Sequence, residues 1–212
     1  METDSSGERD RIVRAATQLF SALGFDATTR ELVAESAGVD GATLRRHFPG
    51  NTELYREVMR QAAQAEQDAL IEAVLAFTPT RQAMNRLLDD YLDFYASRPD
   101  MLGLWLHRRT GDAADTGDLD ESHTRPRLGW IATAVREHVP DPGQLDFALW
   151  TFPWVVSGFL GHGMIHSDGQ NGRRADQSVT DRELEAFRAY LHTLAHRLLA
   201  LPDAPASPDA AQ

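Results

Sequence analysis

Residues 28–48, TTRELVAESAGVDGATLRRHF, constrain the fold more than any other part of this sequence. Thr28 and Glu31 have the spacing of a capping box, which predicts that a helix begins there. Gly38 stands where a helix end favours a left-handed residue, and Asp40 is a good N-cap for a second short helix. Two short amphipathic helices around a glycine-containing turn form the outline of a helix-turn-helix, which indicates DNA binding.

The second of these helices should expose small and cationic side chains. Leu44 and Phe48 are four residues apart and should face the core, and the Pro-Gly pair that follows ends the helix. The opposite face consists of Gly41, Thr43, Arg45, Arg46 and His47. Small residues allow a close backbone approach, and arginines can bond phosphate or the O6/N7 edge of guanine. We therefore predict that this face contacts double-stranded operator DNA.

The segments on either side fit the same unit. Apolar residues recur at helical spacing between Arg9 and Phe25, and a long fourth helix should start near Asn51. The runs RAATQLFSALGFDATT, VAESAGV and TLRRHFPGNTEL resemble, in order and spacing, the TetR family of repressors over about residues 9–60. The resemblance implies an all-α fold with an N-terminal three-helix DNA-binding domain and a C-terminal helical bundle for ligand binding and dimerisation. We predict these domains at residues 1–50 and 51–202, with a disordered tail at 203–212.

The predicted DNA contacts extend beyond the second helix. They also include Thr28, Thr29, Arg30 and Asn51. Family members often carry Tyr where this chain has Arg45 and a basic residue where it has Asn51, so two customary phosphate contacts are altered. Arg45 supplies charge and reach, whereas Asn51 offers only a neutral donor. Arg30 is interpreted either as a phosphate contact or as a snorkelling surface residue.

Composition excludes several classes of protein. The chain contains no Cys, which excludes disulfides, thiolate zinc sites and a cysteine nucleophile. Its N-terminus is unlike a secretory signal and no apolar run is long enough to span a bilayer, so a cytoplasmic protein without membrane contact is expected. The net charge of −11 opposes a nucleic-acid partner. However, acids gather at residues 112–121 and Glu53 is the only acid between Gly41 and Tyr55, so the DNA-facing surface can be locally positive.

Helical periodicity continues to the end of the chain. Helices are predicted at 51–77, 81–97, 101–109, 122–139, 144–166 and 180–201.

Residues 144–166 are apolar almost all round, so they form either the centre of the core or half of a two-fold interface. The interface is favoured, because a DNA-binding protein gains affinity by placing two copies on successive turns of the duplex. Relatives pair through their last two helices, so we predict a homodimer through 144–166 and 180–201.

The second domain is rich in aromatic residues, which either fill the core or line a ligand cavity. Core filling is favoured for any single Trp. For the group we favour a cavity, because the family resemblance implies an effector site and because Pro153 should kink its helix where space is needed. The predicted lining residues are Tyr91, Tyr95, Trp105, His107, Trp130, Trp150 and Trp154. The effector would be an unknown small molecule, apolar or aromatic.

Two histidine pairs at i, i+4 offer a metal site as an alternative to the effector cavity. His162/His166 and His192/His196 could bind a divalent metal, but neither has the intervening Glu of an HExxH site, and polar surface positions are favoured. No metal and no cofactor are predicted.

Catalysis has little support. His107, His123 and the acidic loop could contribute to a triad, but the sequence carries no nucleophile elbow, no glycine-rich phosphate loop and no paired carboxylates at fixed spacing.

The predicted function is a homodimeric repressor that a small molecule releases from its operator. The alternative is a helical ligand-binding or metal-sensing protein with a weak or vestigial DNA-binding domain.

Overall fold

A computed structural model describes residues 2–111, 125–164, 172–173 and 177–204. Within these ranges the secondary structure is helical, which confirms the predicted all-α fold class. The helices are α1 (Glu2–Leu23), α2 (Arg30–Ala37), α3 (Gly41–His47), α4 (Asn51–Leu75), α5 (Arg81–Ser97), α6 (Pro99–Arg109), α7 (Arg125–Val135), α8 (Leu145–His162) and α9 (Asp181–Leu198). No helix in the described part of the chain is both long enough and apolar enough to cross a membrane.

Some helix ends differ from those predicted. Helix α6 begins at Pro99, two residues before its predicted start, because the first turn of a helix tolerates a proline that lacks an N–H. Helix α8 ends at His162 rather than at residue 166, because Gly163 adopts a φ of 76°. Helix α9 begins with a capping box, in which the Thr180 hydroxyl accepts from the Glu183 N–H and the Glu183 carboxylate accepts from the Thr180 N–H.

The chain divides into two compact units. The first contains α1, α2, α3, the part of α4 up to Ala65, and α6; the second contains the rest of α4 together with α5, α7, α8 and α9. The limit between the units falls within α4, after Ala65, and α6 packs with α1 in the first unit. The predicted tail at 203–212 lies outside the described residues after position 204.

The first unit brings α1 and α6 into close contact. A Cβ atom added at Gly103 of α6 would lie 2.7 Å from the carbonyl oxygen of Ser21 in α1, closer than real Cβ atoms come to backbone. Elsewhere in this unit Phe20, Phe25 and Tyr55 pack their rings together, with centroids 5.1 to 6.0 Å apart. The helix that follows α5 is therefore part of the same compact unit as the helix-turn-helix.

The second unit has its own apolar core, formed mainly by α5, α8 and α9. The α5 residues Met84, Leu87, Leu88, Leu92 and Tyr95 are buried, and Tyr91 is half-buried. On α9, the apolar residues Leu184, Phe187, Leu194 and Leu198 are only half-buried.

A polar network also joins α5 to α9. Arg188 donates to Asp89 at 3.1 Å and to Asp93 at 2.6 Å, and His192 lies 2.8 Å from the same Asp89 carboxylate. The pKa of Arg188 is raised above its ordinary value, first by the hydrogen bond to Asp93. These contacts connect α5 and α9 in addition to their apolar packing.

Candidate nucleic-acid interface

Helices α2 and α3 form the predicted helix-turn-helix, with one change in the capping. Thr29, rather than Thr28, is the N-cap of α2, and its hydroxyl accepts from the Leu32 N–H. The predicted capping box of Thr28 with Glu31 is therefore wrong, because Thr28 is buried and donates its hydroxyl to the carbonyl of Gly24. Gly38 ends α2 at a φ of 64°, in the left-handed conformation that its position predicts.

The turn leads into α3 through Asp40, as predicted. The Asp40 carboxylate accepts from the Thr43 N–H at 2.6 Å, and this bond holds the pKa of Asp40 below its ordinary value. At the other end the Phe48 N–H donates to the Leu44 carbonyl at 2.9 Å. Both ends of this short helix are therefore fixed by hydrogen bonds.

The two faces of α3 differ as predicted. Leu44 and Phe48 are buried, whereas Arg45 and Arg46 are exposed. Gly41 is also exposed, Thr43 is half-buried, and the His47 side chain is largely buried. The exposed face thus combines small residues near the start of the helix with two arginines near its end, a surface that suits phosphate and base-edge contacts.

One acidic residue contacts this face from α1. The Oε2 atom of Glu8 lies 2.7 Å from Nη2 of Arg46 and 3.2 Å from Nε2 of His47. The hydrogen bond with His47, and after it the positive charge of Arg46, hold the pKa of Glu8 below its ordinary value. Glu8 could not be predicted from the sequence, since 38 positions separate it from Arg46 and no local pattern connects them.

Three predicted DNA contacts take part in bonds within the unit. Asn51 donates through Nδ2 to the Thr28 carbonyl at 2.9 Å, and Arg30 donates through Nη2 to the Phe48 carbonyl at 2.8 Å. Thr28 itself is buried. These bonds connect the start of α2 to the end of α3 and to the start of α4. In this structure the Arg30 and Asn51 side chains make these connections, and contact of the three residues with DNA remains a prediction.

A charged cluster formed by α1 and α4 contacts Phe48, the residue that caps α3. Glu57 of α4 accepts hydrogen bonds from Arg60, Gln61 and Arg9, and these bonds, with that of Arg60 first, lower its pKa from 4.5 to about 2. The guanidinium of Arg9 also lies 5.1 Å from the centre of the Phe48 ring. Glu57 and Arg9 thus connect α1 and α4 to the residue that ends α3.

The predicted effector residues fall into separate groups. Trp105 and His107 lie on α6 in the first unit, and the other predicted residues lie in the second. In the second unit Tyr91 packs against Tyr95 and Trp150 against Trp154, with centroids 4.9 and 6.2 Å apart, while Trp130 packs against Phe77. Two polar grooves of about 490 and 370 Å³ include none of the predicted effector residues in their lining.

The histidine pairs are placed only in part. His192 and His196 bond to Asp89 and Asn85 respectively, and burial lowers the pKa of His196. His162 ends α8, whereas its partner His166, like His123, lies outside the described residues. Across the described ranges, no three His, Cys, Asp or Glu side chains are grouped as ligands for a metal ion.

Comparisons with known proteins agree with this geometry. Residues 12–58 match the family model described as bacterial regulatory proteins of the tetR family. The HTH-type transcriptional regulator RutR of Escherichia coli strain K12 is 41% identical over 162 residues, which cover 68% of this chain and 71% of RutR. The activator FasR of Mycolicibacterium smegmatis is 27% identical over 86 residues, 41% of this chain and 39% of FasR.

A solved structure extends the likeness to the whole fold. A TetR family regulator from Marinobacter aquaeolei VT8 superposes with a TM-score of 0.67 at 18% identity, over 94% of this chain and 98% of that one. The chain belongs to the TetR family of bacterial regulatory proteins. It is a DNA-binding transcriptional regulator and not an enzyme.

The cluster around Glu57 predicts a defined pH dependence of stability. Replacing Glu57 by Gln should lower the free energy of unfolding by about 1 kcal/mol at neutral pH, a modest value because both arginines are partly solvated. The folded-state pKa of about 2 lies below the ordinary 4.5, so the stabilisation is complete above about pH 4.5 and is lost as the pH falls towards 2.

Denaturant titrations of wild type and Glu57→Gln between pH 2 and 7 measure this difference. Glu35→Gln, which removes an exposed carboxylate in α2 of the same unit, is the control and should show no such trend. A Glu57→Gln difference that stayed constant from pH 7 to pH 2 would contradict the assigned pKa.

Proposed function

We propose that this regulator is a homodimeric repressor whose recognition helix is α3 and that a small apolar or aromatic molecule releases it from its operator. The observation that carries the proposal is a short helix, capped at both ends, that exposes Arg45 and Arg46 opposite a buried Leu44 and Phe48. Such a helix can enter the major groove without rearranging. Activation, the role named for FasR, would use the same DNA contacts.

The two arginines should have different roles. Successive side chains on a helix point about 100° apart, so Arg45 and Arg46 cannot both enter the groove head-on. The ion pair of Arg46 with Glu8 restricts the directions that its guanidinium can take. We assign Arg46 to a base edge, where orientation matters most, and Arg45 to a phosphate, where charge and reach are enough.

Replacing each arginine by Ala tests this division. Arg46→Ala should cost about 1 to 3 kcal/mol of operator binding and relax the preference at one operator position. Arg45→Ala should weaken binding to all sequences alike and lower the slope of log affinity against log salt by about one unit. An operator is first selected from random duplexes with the wild-type protein, and affinities for its single-position variants are then measured. Loss of affinity in both variants without any change in base preference would contradict the assignment.

The dimer is proposed from the apolar surface that α8 and α9 leave uncovered in one chain. Phe147 and Trp154 of α8 are 66% and 52% exposed, and Tyr190 of α9 is 54% exposed. The half-buried stripe of α9 adds to this surface. An apolar surface of this kind on two adjacent helices suits a second copy of the chain, packed as a four-helix bundle.

A charge in this surface should separate the two copies. Trp154→Glu should convert a dimer to a monomer at micromolar concentration, because burying an unpaired carboxylate costs several kcal/mol. Operator affinity should fall with it. Trp130→Glu is the matched control, since Trp130 is also a partly exposed tryptophan but lies on α7. Sedimentation measures the mass of each, and a Trp154→Glu variant that remained dimeric would contradict the proposed interface.

The effector proposal is supported by Trp105. Its side chain is buried, and its indole N–H donates no hydrogen bond to the described residues. A buried donor without an acceptor costs free energy, which a ligand that carries an acceptor on an aromatic or apolar frame would recover. Since α6 packs against α1, a ligand at Trp105 acts on the unit that contains α3.

Such a ligand releases DNA only if it prefers the conformation that does not bind DNA. A hundredfold loss of operator affinity requires a preference of about 2.7 kcal/mol. Linkage then requires that operator DNA weaken ligand binding by the same factor. Once a compound screen has found an effector, titrations of tryptophan fluorescence with and without operator should give curves displaced by that factor, and the displacement should be reduced in Trp105→Phe. Coincident wild-type curves would contradict release by this route.

A further inference from the structure

Glu8 contacts two side chains of the recognition helix α3, one exposed and one largely buried. One carboxylate oxygen of Glu8 serves both Arg46 and His47, at 2.7 and 3.2 Å. The side chains of Glu8 and His47 are 21% and 9% exposed, whereas that of Arg46 is 62% exposed. The Glu8 carboxylate is therefore held in place by the largely buried His47, while Arg46, which it also contacts, remains exposed to solvent.

We propose that Glu8 determines sequence specificity by fixing the direction in which Arg46 meets DNA. The proposal rests on the proposed function, since it requires that α3 enter the major groove. A guanidinium has five N–H donors, and Glu8 engages only Nη2. Enough donors remain for the two hydrogen bonds that an arginine makes to O6 and N7 of guanine.

Two physical effects follow from this arrangement. An arginine held in one orientation loses less side-chain entropy when it meets a correctly placed guanine. The affinity for the correct sequence therefore increases. A carboxylate beside Arg46 also repels a phosphate that would otherwise attract the same guanidinium, so nonspecific binding is weakened. Both effects increase the ratio of operator affinity to nonspecific affinity. Glu8 acts through Arg46 and is a positioning residue rather than a DNA contact.

The simplest alternative is that Glu8 only competes with DNA for Arg46. Competition would lower the affinity for every duplex alike and would leave base preference unchanged. The structure favours positioning over competition, because the bond to the largely buried His47 keeps the carboxylate in place whether or not Arg46 is bound to it. The two possibilities differ in a measurable quantity, the base preference at the one operator position that Arg46 contacts.

The experiment compares Glu8→Gln with Asp10→Asn. Both variants remove one negative charge from α1, but residues 8 and 10 lie about 200° apart around the helix, and Asp10 is exposed. The operator is the one selected with wild type. Affinities are measured at one salt concentration for this operator, for its single-position variants and for a scrambled duplex. Arg46→Ala and the double variant Glu8→Gln/Arg46→Ala complete a cycle, and thermal unfolding verifies that each protein is folded.

Glu8→Gln should lower the ratio of operator to scrambled affinity about five- to tenfold and relax preference at a single operator position. That position should be the one relaxed by Arg46→Ala, and Glu8→Gln should have no further effect on it in the Arg46→Ala background. Asp10→Asn should strengthen binding to all duplexes slightly and leave the ratio unchanged.

Two results would overturn the proposal: Glu8→Gln behaving like Asp10→Asn, or Glu8→Gln strengthening binding to all duplexes equally. A wild-type protein that selects no sequence at all would contradict the proposed function and this inference with it. Failure of Glu8→Gln alone leaves the proposed function in place.

Discussion

A helix of seven residues is not stable by itself in water, so the recognition surface depends on the contacts that hold α3 in place. Hydrogen bonds close both of its ends, and Leu44 and Phe48 attach one face to the core. Phe48 has a central position among these contacts. Its carbonyl accepts from Arg30 and its ring lies under Arg9, so α1 and α2 both act on the end of α3. The orientation of α3 is therefore set by tertiary contacts far more than by its own helical propensity.

The same contacts explain why basic residues near the interface are not interchangeable. Arg30 donates to a backbone carbonyl and Arg9 bonds to Glu57, while Arg45 and Arg46 remain exposed. Asn51 donates through Nδ2 to the Thr28 carbonyl. In this chain several polar groups around the helix-turn-helix stabilise its geometry. On α3 itself, Arg45 and Arg46 remain exposed and can meet DNA.

Local sequence patterns predicted the helix-turn-helix well because its determinants are local. Gly38 and Asp40 act within one turn of their positions, and the 3.6-residue period identified the buried Leu44. The choice between Thr28 and Thr29 as cap was missed, since both can accept from a helix N-terminus and only the buried contact with Gly24 distinguishes them. Long-range features had no local signal. The bond from Glu8 to Arg46 and the packing of α6 with α1 depend on how distant helices meet.

Aromatic content was a weaker guide to the effector site than local patterns were to the helix-turn-helix. Composition does not say which face of a helix a tryptophan occupies, so Trp130 and Trp154 were grouped with Trp105 although the first two are partly exposed and the third is buried.

The crossing of α1 and α6 at Gly103 has a mechanical consequence. Side chains between two helices usually form a layer that can change rotamer and absorb a small displacement. At Gly103 the two backbones approach without such a layer, and closely packed atoms compress very little. A shift of α6 towards α1 therefore moves α1 as a rigid rod. Since Glu8 and Arg9 lie on that rod, such a shift would change the position of the Glu8 carboxylate and of the Arg9 guanidinium together.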